Sequence, residues 1–254
     1  MSTRARVSVV IPALDEEESI ASVVRAVPRE IVSEVIVVDN GSADRTAEAA
    51  REAGARVVRE TRRGYGRACR AGLEAVSDDC EIVAFLDGDG SDRPELLSRL
   101  VTPIVAGTHD FVIGSRTRGV REKGSMNFQQ LLAARLAGWL VRARYGVGYT
   151  DMCPLRAVRR DALARLELRE ETYGWNLEMQ MEAARAGLRI LEVPVDYRRR
   201  TGGESKVSGT LAGTLRAGAR ILYTFARIAG RRAPSARRAR PCAASGGGRD
   251  RSIR

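Results

Sequence analysis

A single histidine, His109, in 254 residues rules out a multi-histidine metal centre and argues against a Ser-His-Asp triad. It sits in THDF ahead of an apolar run, where a structural or surface role fits. The four cysteines, at 69, 80, 153 and 242, form no CxxC pair and no zinc-ligand spacing. They read as reduced, core-packed thiols of a cytoplasmic protein. No apolar run approaches the roughly 20 residues that a membrane span requires. The first strand-like run is followed by PALDEEES, with no G-x-G-x-x-G, and GxxxxGK[ST] occurs nowhere, so hydride transfer on a dinucleotide and P-loop chemistry are both disfavoured.

Charge is present but unevenly spread. Of the net +11, residues 231–254 carry +7 from eight Arg and one Asp. That stretch has Pro, Gly and Ser but almost no large apolar residue, and it is expected to be a disordered tail. It could touch anionic lipid or nucleic acid, or simply be solvated; the absence of aromatic residues argues against specific nucleic-acid recognition.

From the N-terminus, β-branched runs alternate with helical patterns: VSVVI (7–11), VIVVD (35–39), ARVVRE (55–60) and EIVAFLD (81–87), with helices from about 16, from about 43 and over 66–76. This is the rhythm of an α/β protein with a parallel sheet, and runs such as VIVV and IVAFL fit burial on both faces. Ser42 or Asp44 suits the second helix as N-cap, and Asp92 suits a helix starting after Arg93-Pro94. FVIG (111–114), PLRAV (154–158) and LRILEVPV (188–195) read as further strands, with Pro194 marking an edge or a strand end. Longer helices are expected over 125–145, with Leu131, Leu132, Leu136, Trp139 and Leu140 on one side, and near 174–187. Over 207–229, Val207, Leu211, Leu215, Leu222 and Phe225 form a stripe. It belongs either to a helix packed on the domain or to an interfacial helix on a membrane.

Three strand ends carry acids: Asp15 and Glu16 after the first, Asp39 after the second, and Asp87 with Asp89 after the fourth. Open parallel sheets bind ligands at the carboxyl ends of their strands. A diphosphate held there without a glycine cradle needs a substitute, and a divalent cation bridging the DGD carboxylates to phosphate oxygens is the physical one. Gly88 and Gly90 allow tight turns at that loop.

In this order and spacing, PALDEEESI, VVDNGSADRT, FLDGDGSDRPE, VIGSR and RRRTGGESKVSGT resemble a family 2 glycosyltransferase of the dolichyl- or polyprenyl-phosphate mannose or glucose synthase type, over about residues 7–210. The resemblance implies a GT-A fold, a Rossmann-like, mostly parallel sheet flanked by helices. The catalytic domain would span 1–206, followed by an amphipathic helix over 207–230 and the basic tail over 231–254. It implies that Pro12, Ala13, Asp15, Glu16 and Asp39 hold the nucleoside of a nucleotide-sugar donor. Asp87 and Asp89, with Ser91 in the position of a usual glutamine, would hold Mg²⁺ or Mn²⁺ on the diphosphate. Arg116, Arg200, Ser205 and Lys206 would face the phosphates of donor or acceptor. Departures are Asn40 where a second acid is usual, Asp15 where asparagine is usual, and DGDGS in place of DADLQ, with Asp92 as the alternative to Ser91. A second arginine usual in the segment 123–135 has no clear counterpart.

The implied reaction is inverting transfer of a hexose from a GDP-mannose or UDP-glucose type donor to a polyprenyl phosphate, by an enzyme lying peripherally at the cytoplasmic face of the membrane. A phosphate acceptor is already anionic at neutral pH and needs cations rather than a strong base. If the acceptor were instead a sugar hydroxyl of an envelope glycan or soluble molecule, Glu178 in TYGWNLEMQ could serve as base; otherwise it is a helix-surface carboxylate. Tyr173 and Trp175 would line the acceptor cleft or pack in the core, and Asp151 is equally ambiguous. The reading from another class is a non-catalytic binding protein whose basic tail contacts nucleic acid.

Overall fold

The computed structural model describes residues 5–201, 219 and 222–230. Seven strands form one sheet in the order β3-β2-β1-β4-β6-β5-β7: β1 (Val7–Ala13), β2 (Glu34–Asp39), β3 (Arg56–Arg59), β4 (Ile82–Phe85), β5 (Phe111–Ser115), β6 (Arg156–Arg159) and β7 (Ile190–Pro194). Val9, Val10, Ile11, Val37, Val38 and Ala84 are wholly inaccessible, as strands covered by helices on both faces require. The order agrees with the expected GT-A, Rossmann-like sheet. One strand departs from a purely parallel sheet, since β6 runs antiparallel to both β4 and β5. Pro194 ends β7 at the sheet edge, where its missing N–H disturbs no ladder.

Flanking helices are α1 (Ile20–Ala26), α2 (Thr46–Glu52), α3 (Tyr65–Ala75), α4 (Leu97–Val105), α5 (Phe128–Tyr145), α6 (Arg160–Leu163) and α7 (Trp175–Arg185). Asn127 and Gln130 form a reciprocal capping box at the start of α5, and Gly146 closes it in the left-handed region. This helix differs from expectation in the side it buries. Ala134, Ala137, Gly138 and Val141 face inward, while Leu132, Leu136 and Trp139 lie outside. The reason is close approach: a Cβ on Gly138 would stand 2.0 Å from the Tyr149 carbonyl oxygen, so only a small-residue face can seat there.

The base of the β5-β7 pair is fixed by Asp110. Its carboxylate accepts from the Arg189 backbone N–H at 3.0 Å and from the Arg189 guanidinium at 2.8 Å, with Arg159 at 2.9 Å. Those contacts pull its pKa down to about 2. A depressed carboxylate stabilises the fold above its unfolded pKa of about 3.9 and loses that contribution as pH falls toward the folded value. Asp110→Asn should therefore cost about 2 kcal/mol at pH 7, discounted for the half-exposed arginines. The gap from wild type should close between about pH 4 and pH 2 in urea melts.

Among the described residues no helix is long and apolar enough to cross a membrane. Cys69, Cys80 and Cys153 are buried, unpaired thiols, as expected. Of the 207–229 stripe, Val207, Leu211 and Leu215 lie outside the described residues, as do Ser205, Lys206 and the basic tail. In the helical stretch 222–229, Phe225 of the stripe packs partly buried against the core, as a helix seated on the domain requires, while Leu222 is 54% exposed and Thr224 and Ile228 are the fully buried positions.

Candidate active site

The three acid-bearing strand ends are neighbours, since β2, β1 and β4 are adjacent in the sheet. The DGD loop presses against the end of β1: a Cβ on Gly88 would lie 3.5 Å from the Pro12 carbonyl and 3.4 Å from the Ala13 side chain. The Ser19 hydroxyl donates to the Gly88 carbonyl at 2.7 Å and fixes the loop to the turn before α1. Gly90 has φ +76°, and a side chain there would strike Thr201. The Arg198 and Thr201 backbone amides donate to the Ser91 and Asp89 carbonyls at 3.0 and 3.1 Å. This short zipper carries Arg200 onto the acids, with its guanidinium 2.9 Å from Asp89 and 3.4 Å from Glu16. The predicted loop cation thus lies beside the DGD motif.

Asp87 receives the Tyr65 hydroxyl at 2.9 Å, and its backbone amide donates to Asp92 Oδ2 at 3.0 Å. It keeps some surface open, yet enclosure pushes its carboxyl well above the usual range, with the Asp89 and Asp92 charges adding to the shift. Asp92 does not cap the following helical turn, whose start shows no side-chain cap. It is buried beneath the motif, desolvation pushes it up to about 7, and its Oδ1 has no hydrogen-bond partner. The Ser91 hydroxyl donates to Asp89 and lies 2.9 Å from the Tyr197 hydroxyl.

Closely set carboxylates in a low-dielectric loop, one with an unsatisfied oxygen, fit a hard divalent cation. Among the described residues no three His, Cys, Asp or Glu side chains converge into a ready cage. That suits a cation held by one or two carboxylates and completed by substrate oxygens, which is how Mg²⁺ usually binds.

The acids at the ends of β1 and β2, expected to hold a nucleoside, brace the backbone around them. Asp15, the one non-glycine residue with positive φ among those described, accepts the Ala43 amide at 2.8 Å and donates its own amide to Ser42. Asp39 accepts the Ser42 amide at 2.9 Å, and the Glu16 amide donates to Thr46. Asn40 explains its own departure from the usual acid. It donates to the Glu60 and Arg62 carbonyls and accepts the Gly64 amide at 2.7 Å, a clasp that a carboxylate could not complete. Gly64 and Gly66 give room to the Glu171 and Glu170 carbonyls, from whose oxygens a Cβ would stand 2.3 and 2.1 Å.

On the other side, Arg116 is clamped bidentately by Asp151, at 2.7 and 2.8 Å, and its guanidinium lies 4.8 Å over the Tyr197 ring. Asp151 is fully buried, and the arginine holds its carboxyl below the usual range against the burial that would raise it. Arg116 is thus a positioned cation with a dedicated counter-ion. Beyond Thr117 and Thr150 opens a cleft of about 420 Å³ lined by Arg118, Arg121, Leu131, Arg135, Tyr149 and both threonines. The segment that lacked a clear second arginine therefore contributes Arg135 to this cavity, with Arg121 just ahead of it.

Glu178 is neither a surface carboxylate nor open to a ligand. It is wholly buried, accepts the Arg169 and Glu170 amides, and pairs with Arg227 at 2.8 Å. Trp175 is 1% exposed and belongs to the core, while Tyr173 is partly exposed. Tyr65, Tyr197 and the clamping role of Asp151 went unread in the sequence.

Residues 8–166 match the family described as glycosyl transferase family 2. The chain belongs to that family. As a family 2 glycosyltransferase it is 39% identical over 215 residues to an uncharacterized glycosyltransferase of Mycobacterium tuberculosis, covering 82% of this chain and 93% of the relative. It is 34% identical to an undecaprenyl-phosphate mannosyltransferase of Micrococcus luteus, covering 82% and 90%. Among solved structures, glucosyl-3-phosphoglycerate synthase of Mycobacterium tuberculosis with Mn²⁺, UDP-glucose and phosphoglyceric acid superposes with a TM-score of 0.72 at 27% identity, covering 91% of this chain and 82% of that one. Family membership sets aside the reading of a non-catalytic binding protein.

Proposed function

We propose that this glycosyltransferase moves a hexose from a nucleotide sugar to a polyprenyl phosphate, with inversion at the anomeric carbon, while lying peripherally at the cytoplasmic face of the membrane. The observation that carries the reading is the cleft beside Arg116, on whose wall the described residues place three arginines, two threonines and no carboxylate. Such a wall suits a phosphate, and Glu192 behind it is engaged by the Thr150 amide and hydroxyl and by Arg118 rather than presented as a base. A phosphate nucleophile needs none, whereas a sugar hydroxyl does. The names of relatives in Micrococcus luteus and Mycolicibacterium smegmatis, an undecaprenyl-phosphate mannosyltransferase and a polyprenol monophosphomannose synthase, support the same acceptor class.

The geometry supports a division of labour. Asp87 and Asp89, with Ser91 and Asp92 behind them, would hold Mg²⁺ or Mn²⁺. That ion supplies charge neutralisation on the departing nucleoside diphosphate. The glucosyl-3-phosphoglycerate synthase complexes with Mn²⁺ and UDP-glucose support both the ion and the donor class. Glu16, Asp15 and Asp39 shape the nucleoside end. Arg200, resting on Asp89 and Glu16, is placed to exchange a carboxylate for a donor phosphate, and guanidinium binds either bidentately. Arg116, held in orientation by Asp151, stands between the donor loop and the arginine cleft. The chain of contact Arg116–Tyr197–Ser91–Asp89 ties the two halves together.

The solved relatives favour one second reading, a small soluble phosphorylated acid as acceptor, because phosphoglyceric acid is the partner named in those complexes. Incubation with radiolabelled GDP-mannose or UDP-glucose and Mn²⁺, offering undecaprenyl phosphate in one arm and 3-phosphoglycerate in the other, separates the two. Organic-extractable label is the expected result, and label only in the aqueous phase with 3-phosphoglycerate would replace the lipid reading. Retained configuration in the product would overturn inversion.

A further inference from the structure

The large apolar side chains of α5 that do not pack inward form one outward row: Phe128 at 74% exposure, Leu132 at 55%, Leu136 at 43% and Trp139 at 65%. Their spacing of four, four and three residues keeps them on one helix face over about 17 Å. Arg135 and Arg142 are exposed on the same helix, which contains no Asp or Glu, and exposed Arg121 and Lys123 precede it beside Glu122. The row starts at the arginine cleft, because Leu131 and Arg135 of α5 form part of its wall. We propose that this outer face of α5 is the surface by which the enzyme docks on an anionic lipid bilayer, with the cleft opening at headgroup level.

Two features commit the face to a bilayer. A helix that seats itself through Ala and Gly while turning Phe, Leu and Trp outward exposes a patch that a solvated monomer would bury. Basic residues within and beside an apolar row, with no acid on the helix, match anionic headgroups over acyl chains, the arrangement in which such a helix lies about 5–10 Å into the interface. The placement also gives the acceptor a route. A polyprenyl chain cannot leave the membrane, so its phosphate must be met where the cleft reaches the surface. This rests on the polyprenyl-phosphate reading, but the docking can be measured without any sugar transfer.

The protein carries its own reporter. Of its two tryptophans, Trp175 is 1% exposed and Trp139 is on the row, so a change in emission on adding vesicles reports α5. With full-length protein and vesicles of phosphatidylglycerol and phosphatidylcholine, we expect a blue shift and quenching by brominated acyl chains. Both should persist in part at 1 M NaCl, where a Debye length of about 3 Å silences the basic tail. The variant Leu132→Glu/Leu136→Glu should bind vesicles at least about tenfold more weakly, from the lost apolar burial. It should retain turnover with a water-soluble short-chain prenyl phosphate. Sedimentation with vesicles without any tryptophan response would assign binding to the tail and overturn the proposal. So would a wild-type dimer that the double variant converts to monomer, since the face would then join two copies. Vesicle binding through Trp139 without turnover on any prenyl phosphate would leave the docking surface standing and remove the acceptor reading.

Discussion

Asp89→Asn should lower kcat by about 10²–10³-fold, the usual loss when a centre that stabilises developing charge is disabled. Asp87→Asn together with Asp89→Asn should abolish measurable transfer and Mn²⁺-dependent binding of nucleoside diphosphate in titration calorimetry. The contrast with stability is what makes the prediction specific. Asp87 is a carboxylate whose enclosure and neighbours, Asp89 and Asp92, oppose its charge. Holding that charge in place costs the fold free energy, so the neutral isostere at position 87 should leave the melting temperature unchanged or raise it by a few degrees. A lower melting temperature with turnover intact would mean that the acids brace the loop and do nothing else. Asp92 supplies a control within the same loop. It accepts the Asp87 amide, so Asp92→Ala removes a hydrogen bond that shapes the motif and should raise the metal concentration needed for half-maximal rate more than it lowers the rate at saturating metal.

The strands and the acidic strand ends were legible because the signals are local. A parallel strand covered on both faces needs an unbroken apolar run, and a ligand-binding strand end shows as acids and glycines directly after it. What escaped notice depended on distant partners. PLRAV encodes a strand but not the antiparallel direction that β6 takes between β4 and β5. The clamp on Arg116 joins residues 35 apart in sequence, and the Ser91–Tyr197 contact joins residues 106 apart, with no spacing rule connecting them. In α5 the apolar period was real but belonged to the outer face. The packing face was written in Ala and Gly, whose value lies in permitting approach rather than in burying area. Glu178 was misread for a related reason, since a carboxylate on an amphipathic helix looks solvated until its counter-ion, Arg227, arrives from 49 residues away.

That counter-ion gives the second large effect. Arg227 enters from the stretch 222–229 and meets two carboxylates, Glu178 at 2.8 Å and Glu170 at 3.5 Å, both essentially inaccessible to solvent. Thr224 also reaches Glu170, and Ile228 is fully buried beside them. Burial raises the pKa of Glu178 despite its two amide donors and the arginine, so the pair is a costly charge that its partner must hold. Arg227→Ala leaves two buried acids facing each other and should cost about 3 kcal/mol, the lower end for breaking a buried pair because the arginine is partly exposed. Adding Glu178→Gln to that variant should restore part of the loss, giving a coupling energy of about 1–2 kcal/mol in a double-mutant cycle of urea melts. Additive losses would instead mean that the stretch is held by Thr224 and Ile228 packing alone. Because Glu178 serves as anchor in this arrangement, Glu178→Gln by itself should change stability while leaving the pH profile of kcat in place, whereas loss of a general base would take the acidic limb of that profile with it.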